Sequence, residues 1–305
     1  MSVFQMGSIL KKRREELGYS QEELADGICS VPTLSRIENG DRMPTKDHFE
    51  MLMQRLGYSA MSLDFFTDKR DFIIHELKFK IRQSYINKDY YHARMYMAEY
   101  LETLRNSTPI DQQFSLLYST LLDEESYSNR EKLERFESAL LLTCPRYNCN
   151  RIPRVLTYEE IILLNNIAIC YDSIGNRENT ISILSAIKDY YGNHVISTEE
   201  ALRTQPLILY NLSKFLGLNG QYDECIDVCN YAIRIANSTG RCTFLGKVWY
   251  NRGWALLKRG QDGDRSASQH SIRQAYLFAS VLGYTDEIEH CKRFWEEYFQ
   301  ELELL

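Results

Sequence analysis

The chain has no apolar run approaching the roughly 20 residues that span a bilayer, so a helical membrane protein is excluded. Its first residues, MSVFQMGSILKKRREELG, lack the small-residue cleavage site of a secretory signal. A cytoplasmic chain with no membrane partner is expected. Proline is scarce, 6 in 305 residues, which suits long helices. There is no excess of positive charge: the formal net charge is -6. Residues 1–66 hold eight Lys or Arg against ten Asp or Glu, net -2. Bulk charge therefore gives no support for nucleic-acid binding, and only the placement of charges can. The eight cysteines form no CxxC pair and have no matching histidine cluster, so no metal site is expected. Cys170, Cys225, Cys229 and Cys291 sit in apolar helical patterns and read as reduced, packed thiols. GxSxG, P-loop and HExxH motifs are absent, and the six histidines are scattered. Neither an enzyme nor a cofactor is expected.

What is present starts with SQEELADGICSVPTLSRIENG, residues 20–40. Ser20 with Glu23 makes a capping box for a short helix, QEELAD. Gly27 breaks it and suits a positive φ. Ser30 is a second N-cap, and Pro32 falls in the first turn of the next helix, where its missing N–H costs little. Leu34 and Ile37 share one face of that helix, which stops at Asn39-Gly40. An upstream helix over about 7–17 carries Ile9 and Leu10 on its apolar face. A downstream helix over about 45–56 carries Phe49, Leu52, Met53 and Leu56. A fifth short helix is expected near 60–66. Helices this short are unstable alone and must share a core. The second and third, joined by a tight glycine turn, have helix-turn-helix geometry.

The blocks SQEELA and LSRIENG, with their spacing, resemble the DNA-binding domain of the lambda-repressor and Cro class over about residues 7–66. The turn is one residue shorter than usual there. The form ICSVPTLSRIENG is similar to the variant in peptide-responsive regulators of Gram-positive bacteria, the PlcR type. The resemblance implies that the third helix enters the major groove and meets base edges with its N-terminal residues. Val31 and Pro32 offer apolar contact, as to thymine methyl groups; Thr33, Ser35 and Arg36 are polar candidates. Few of these are bidentate readers, so DNA shape carries part of the specificity. Gln21, Ser30 and Arg42 are candidates for phosphate oxygens. The resemblance also implies a structural ion pair between Arg14 and Glu38.

From about residue 71 the pattern changes to long amphipathic helices rich in tyrosine. LLNNIAICYDSIGNREN, LYNLSKFLGLNGQYDEC and WYNRGWALLKRGQDGDR align. Each carries an asparagine (Asn165, Asn211, Asn251), 46 and 40 residues apart, then a glycine turn and a second helix. This is a tetratricopeptide-like array, with a weaker copy turning near Asn87-Lys88-Asp89, another over 114–142, and a closing cap. The expected fold is all-α: a five-helix helix-turn-helix head in residues 1–67, then a right-handed repeat superhelix in residues 71–305. Asparagines recurring on the inner helices suggest an amide ladder able to bond both N–H and C=O of an extended peptide.

The repeats also resemble the PlcR type. That resemblance implies a short signalling peptide held by Asn165 and Asn211, with Asn251 where the family can carry an amide of another type and Lys88 meeting a carboxylate; Tyr210 and Tyr250 are candidates for apolar contact with the peptide, core packing being their competing role. It further implies a homodimer through the repeat domain gripping a pseudo-palindromic site on double-stranded DNA. The competing expectation keeps the head and makes the array a dock for a protein partner, with no peptide.

Overall fold

The structure, a computed structural model, describes residues 3–56, 69–104, 107–148, 152–153, 155–193 and 199–299. Among these the regular structure is helical: fifteen α-helices and a 3-10 turn at Glu124–Ser126. The head contains α1 (Val3–Glu16), α2 (Gln21–Ala25), α3 (Val31–Glu38) and α4 (Lys46–Arg55). The expected fifth helix near 60–66 lies outside the described residues.

The caps follow the sequence. Ser20 Oγ accepts from the Glu23 amide while Glu23 accepts from the Ser20 amide. Ser30 Oγ accepts from the Thr33 amide, and Thr45 Oγ1 from the His48 amide. Leu10, Leu24, Leu34, Leu52 and Leu56 are fully buried around Ile37. Each such burial contributes about 2 kcal/mol, which is what allows helices of 5 and 8 residues to persist. Ile9, expected on the buried face of α1, is exposed; Leu10 alone of the pair enters the core. At Gly7, α1 runs so close to α3 that a Cβ would overlap the Ile37 carbonyl oxygen.

The array contains α5 (Lys69–Ile86) with α6 (Tyr90–Thr103), α7 (Pro109–Leu122) with α8 (Asn129–Leu141), then α9 (Tyr158–Ser173) and α10 (Arg177–Asn193). Then come α11 (Glu199–Leu218) with α12 (Tyr222–Thr239), α13 (Leu245–Arg259) with α14 (Asp264–Leu282), and the closing α15 (Thr285–Tyr298). The expected succession of helices joined by short turns is present among the described residues, and the segment expected as a cap from Ser271 is the later part of α14 with α15. α9 and α11 end alike. The amide at the turn residue bonds the carbonyl three back, and the next amide bonds the carbonyl five back, with Gly175 and Gly220 at positive φ. This is the Schellman pattern.

The chain divides into two compact units. The first holds residues 1–179 and 193–200, the second residues 180–192 and 201–305. In the first unit the head is packed on its own array: Val155, before α9, is buried within the head's core cluster, and Ile110 of α7 packs against it. A buried hub ties α5, α6 and α7. Asp111 accepts from Lys78 Nζ (2.8 Å), Tyr100 OH (2.9 Å) and Thr108 Oγ1 (2.8 Å). In the second unit, Gly253 brings α13 close to Ile272 of α14, and Cys291, Phe294 and Trp295 of α15 close that core.

Candidate functional site

The N-terminal face of α3 is open. Ser30, Val31, Pro32 and Arg36 are exposed, Val31 at 38%, although an isolated valine gains nothing from water. Thr33 is half-buried and shares a 2.9 Å hydrogen bond with Ser30 Oγ, so both hydroxyls are held at the start of the helix. Ser35 is half-buried on the flank, and Arg42 is exposed in the loop that follows. The hydrophobic residues Leu34 and Ile37 point the opposite way, into the core. That two-sidedness is why α3 presents a polar and small-apolar edge suited to base and phosphate contact.

Behind α3 lies a charged network that holds the three helices. Arg14 Nε and Nη2 grip Glu38 Oε1 and Oε2 at 2.6 and 3.0 Å, and Arg14 Nη1 donates to the Tyr19 carbonyl at 2.7 Å. The hydrogen bond to Glu38 raises the Arg14 pKa above its ordinary value against the opposing effect of burial. Gln21 Nε2 donates to Glu38 Oε2 at 2.8 Å, so the Gln21 side chain serves this network rather than reaching outward. In α4, burial lowers the pKa of His48.

The head meets the array through Arg55, in the last turn of α4. Its Nη1 donates to the carbonyls of Leu24 (3.2 Å) and Asp26 (2.5 Å), and its Nη2 lies 3.2 Å from Glu160 Oε1 of α9. The Glu160 side chain is 0% exposed and also accepts from Thr143 Oγ1 (2.8 Å) and the Thr157 amide (2.6 Å). Gly27 abuts the Thr143 carbonyl so closely that any Cβ would overlap it, and its φ of +70° is left-handed. Glycine is required there twice over. At the rim, Arg146 pairs with Glu22 and Asp26, each at 3.3 Å. The sequence reading missed Arg55. Its available signal was a lone cation within MLMQRL, on an otherwise apolar helix end.

The array residues expected to hold a peptide fall in several settings. Asn165 of α9 is 3% exposed and Asn211 of α11 is 6% exposed. Asn251 of α13 is half-buried; its Nδ2 donates to Ser213 Oγ (2.9 Å) and the Tyr210 carbonyl (3.4 Å), linking α13 to α11. Tyr210 stacks on Phe244 with ring centres 5.5 Å apart, and Lys247 Nζ lies 5.5 Å from the Tyr210 ring centre. Phe244 holds a strained φ of +64° at the start of α13. Tyr250 meets Phe294 edge-on, and burial raises its pKa. Lys88 is exposed in the α5–α6 turn with φ +61°. The first unit brings Lys88 and Asn165 into its array, and the second unit joins Asn211, Asn251, Tyr210 and Tyr250 on α11 and α13. Among the described residues no group of three His, Cys, Asp or Glu is placed to hold a metal ion. No described helix is long and apolar enough to cross a membrane.

A capped helix-turn-helix with an exposed α3 edge, joined to helical repeats, is the architecture of a DNA-binding transcriptional regulator. Residues 10–62 match the helix-turn-helix family, and residues 78–286 match the RNPP family C-terminal domain, so the chain belongs to the RNPP family. The fold is similar to that of Bacillus thuringiensis PlcR in complex with the peptide PapR7 and DNA. The identity there is 19% and the TM-score 0.58, over 94% of this chain and 99% of that one. It is also similar to the apo competence regulator ComR of Streptococcus vestibularis, with 17% identity and a TM-score of 0.55, over 97% of this chain and 98% of that one. At these identities the likeness is one of fold. No curated protein matches the chain by sequence. The family is one of transcriptional regulators rather than enzymes, as the missing catalytic motifs implied.

Proposed function

We propose that this regulator is switched by a short signalling peptide bound along the inner helices of its array. In this reading it acts as a cytoplasmic homodimer, paired through residues 71–305, whose two heads (residues 1–67) read a pseudo-palindromic operator. Family membership through residues 78–286 carries the reading. The structure named above, of PlcR with PapR7 and DNA, supports it. Val31, Pro32, Thr33, Ser35 and Arg36 meet base edges, and Ser30, Arg42 and the α2 start at Gln21 meet phosphates. Asn165, Asn211 and Asn251 would bond the peptide backbone, Tyr210 and Tyr250 would pack its side chains, and Lys88 would meet a carboxylate. Ligand binding then shifts the population of array shapes and with it the spacing of the heads.

One observation favours the second reading, an array that docks a protein and binds no peptide. Two of the three asparagines are almost wholly buried, and the third bonds its own scaffold, so a ladder forms only if these amides turn outward. Isothermal titration against short peptides encoded beside the gene separates the two. Micromolar or tighter binding of one peptide, lost in Asn211→Ala, is expected for the sensor. Heat from none of them, with DNA binding intact, transfers the assignment to protein docking.

A further inference from the structure

The joint between head and array is built from groups that a loose tether would not bury. Arg55 and Glu160 form an ion pair whose side chains are 2% and 0% exposed. A desolvated pair of this kind persists only where both partners are held by further hydrogen bonds. Here Arg55 also serves the Leu24 and Asp26 carbonyls, and Glu160 serves Thr143 and Thr157. An apolar contact accompanies it, since Val155 completes the head's core. A steric one does too, since Gly27 admits the Thr143 carbonyl where any other residue would not. Charge complementarity closes the rim, with Arg146 against Glu22 and Asp26.

The joint takes up the end of α2 and the end of α4. It leaves Ser30, Val31, Pro32, Arg36 and Arg42 exposed. We propose that this joint is a rigid coupling that presents the reading edge to DNA, rather than a latch that shields it. Thr143 and Arg146 after α8, Val155 before α9 and Glu160 in the first turn of α9 are then the residues that fix the head's orientation on the array. This inference rests on the dimeric DNA-reading function proposed above.

Full-length Val155→Asp protein tests the coupling by putting an unpaired charge into the joint without touching the reading residues. Arg146→Glu is the milder companion: it sits at the exposed rim, where it repels Glu22 and Asp26 and cannot unfold a core. Two readouts are needed. Amide hydrogen exchange should show Ala25 to Cys29 losing protection in Val155→Asp and, to a smaller degree, in Arg146→Glu. Wild-type protein should select a duplex from a random pool. Both variants should bind that duplex less tightly, Val155→Asp by roughly tenfold or more, because heads no longer held in one orientation lose effective concentration. Tighter binding by the variants overturns the proposal in favour of shielding. Wild-type exchange and wild-type affinity in both variants overturn it in favour of an idle contact. If the wild-type protein selects no duplex, the DNA-reading function itself falls, while the exchange data still judge the joint.

Discussion

Arg55 and Glu160 stand 105 positions apart in sequence and 3.2 Å apart in space, each sealed from solvent. Removing either partner strands the other. Glu160→Ala and Arg55→Ala are each expected to cost about 3–5 kcal/mol, the range for an uncompensated buried charge. Denaturant midpoints followed by circular dichroism measure this. A loss under 1 kcal/mol in both would mean that the pair is solvated in the working protein.

Asp111 gives the array an acid-sensitive hub. Burial alone would raise its pKa. The Lys78 charge overcomes that, aided by hydrogen bonds from Lys78, Thr108 and Tyr100, and the net shift is downward. The folded pKa is below the unfolded value of about 3.9, so the unfolded chain binds more protons in that window. The contribution is complete above the unfolded pKa and is lost as pH falls through the folded one. Asp111→Asn should therefore destabilise at pH 7 and flatten the decline in stability below pH 4. Melting curves from pH 2.5 to 7 report both, and an undiminished acid slope in the variant would refute the assignment.

Lys88 occupies the turn position that Gly175 and Gly220 fill in later repeats. Its amide bonds the Tyr85 carbonyl and the next amide bonds the Ser84 carbonyl, the same pattern as at those glycines. A left-handed φ costs an L-residue roughly 1 kcal/mol, so Lys88→Gly should leave the melting temperature unchanged or raise it. The same variant tests the proposed carboxylate contact. A protein that is stabilised yet binds peptide more weakly has lost a ligand group; one that binds equally well has lost only turn strain.

Arg36 is exposed on α3, and no described hydrogen bond or ion pair engages its side chain. Arg36→Ala should keep full stability and weaken DNA binding. If it holds a phosphate, the loss is uniform across operator variants and the salt slope drops by about 1; if it reads a guanine, the loss of about 1–3 kcal/mol falls on one base pair. Unchanged affinity for every duplex would remove it from the interface.

Much of the head was legible in the chain because its determinants are local. The Ser20 capping box, the Ser30 N-cap, the Gly27 break and the spacing of Leu34 and Ile37 act within a few residues, so Ser20, Ser30 and the α3 edge emerge from the sequence alone. Arg14 with Glu38 needed the family resemblance, since nothing local pairs residues 24 apart. Gln21 shows the limit. Its place at a helix start is local information, but its amide is taken by Glu38, which three-dimensional packing brings within 2.8 Å. The asparagines show it again: a 46- and 40-residue recurrence is visible in sequence, but the depth of each side chain depends on neighbouring helices.

By itself the sequence determined that this protein is helical, begins with a helix-turn-helix, and continues as paired repeats with glycine or glycine-like turns. Periodicity, caps and backbone preference act over short range and do not wait for the rest of the fold. Only the tertiary structure decided that Arg55 reaches Glu160, that Val155 finishes the head's core, and that Asn251 bonds α11. Those contacts are chosen by which surfaces must be buried together, and burial is a property of the folded chain, not of any stretch within it.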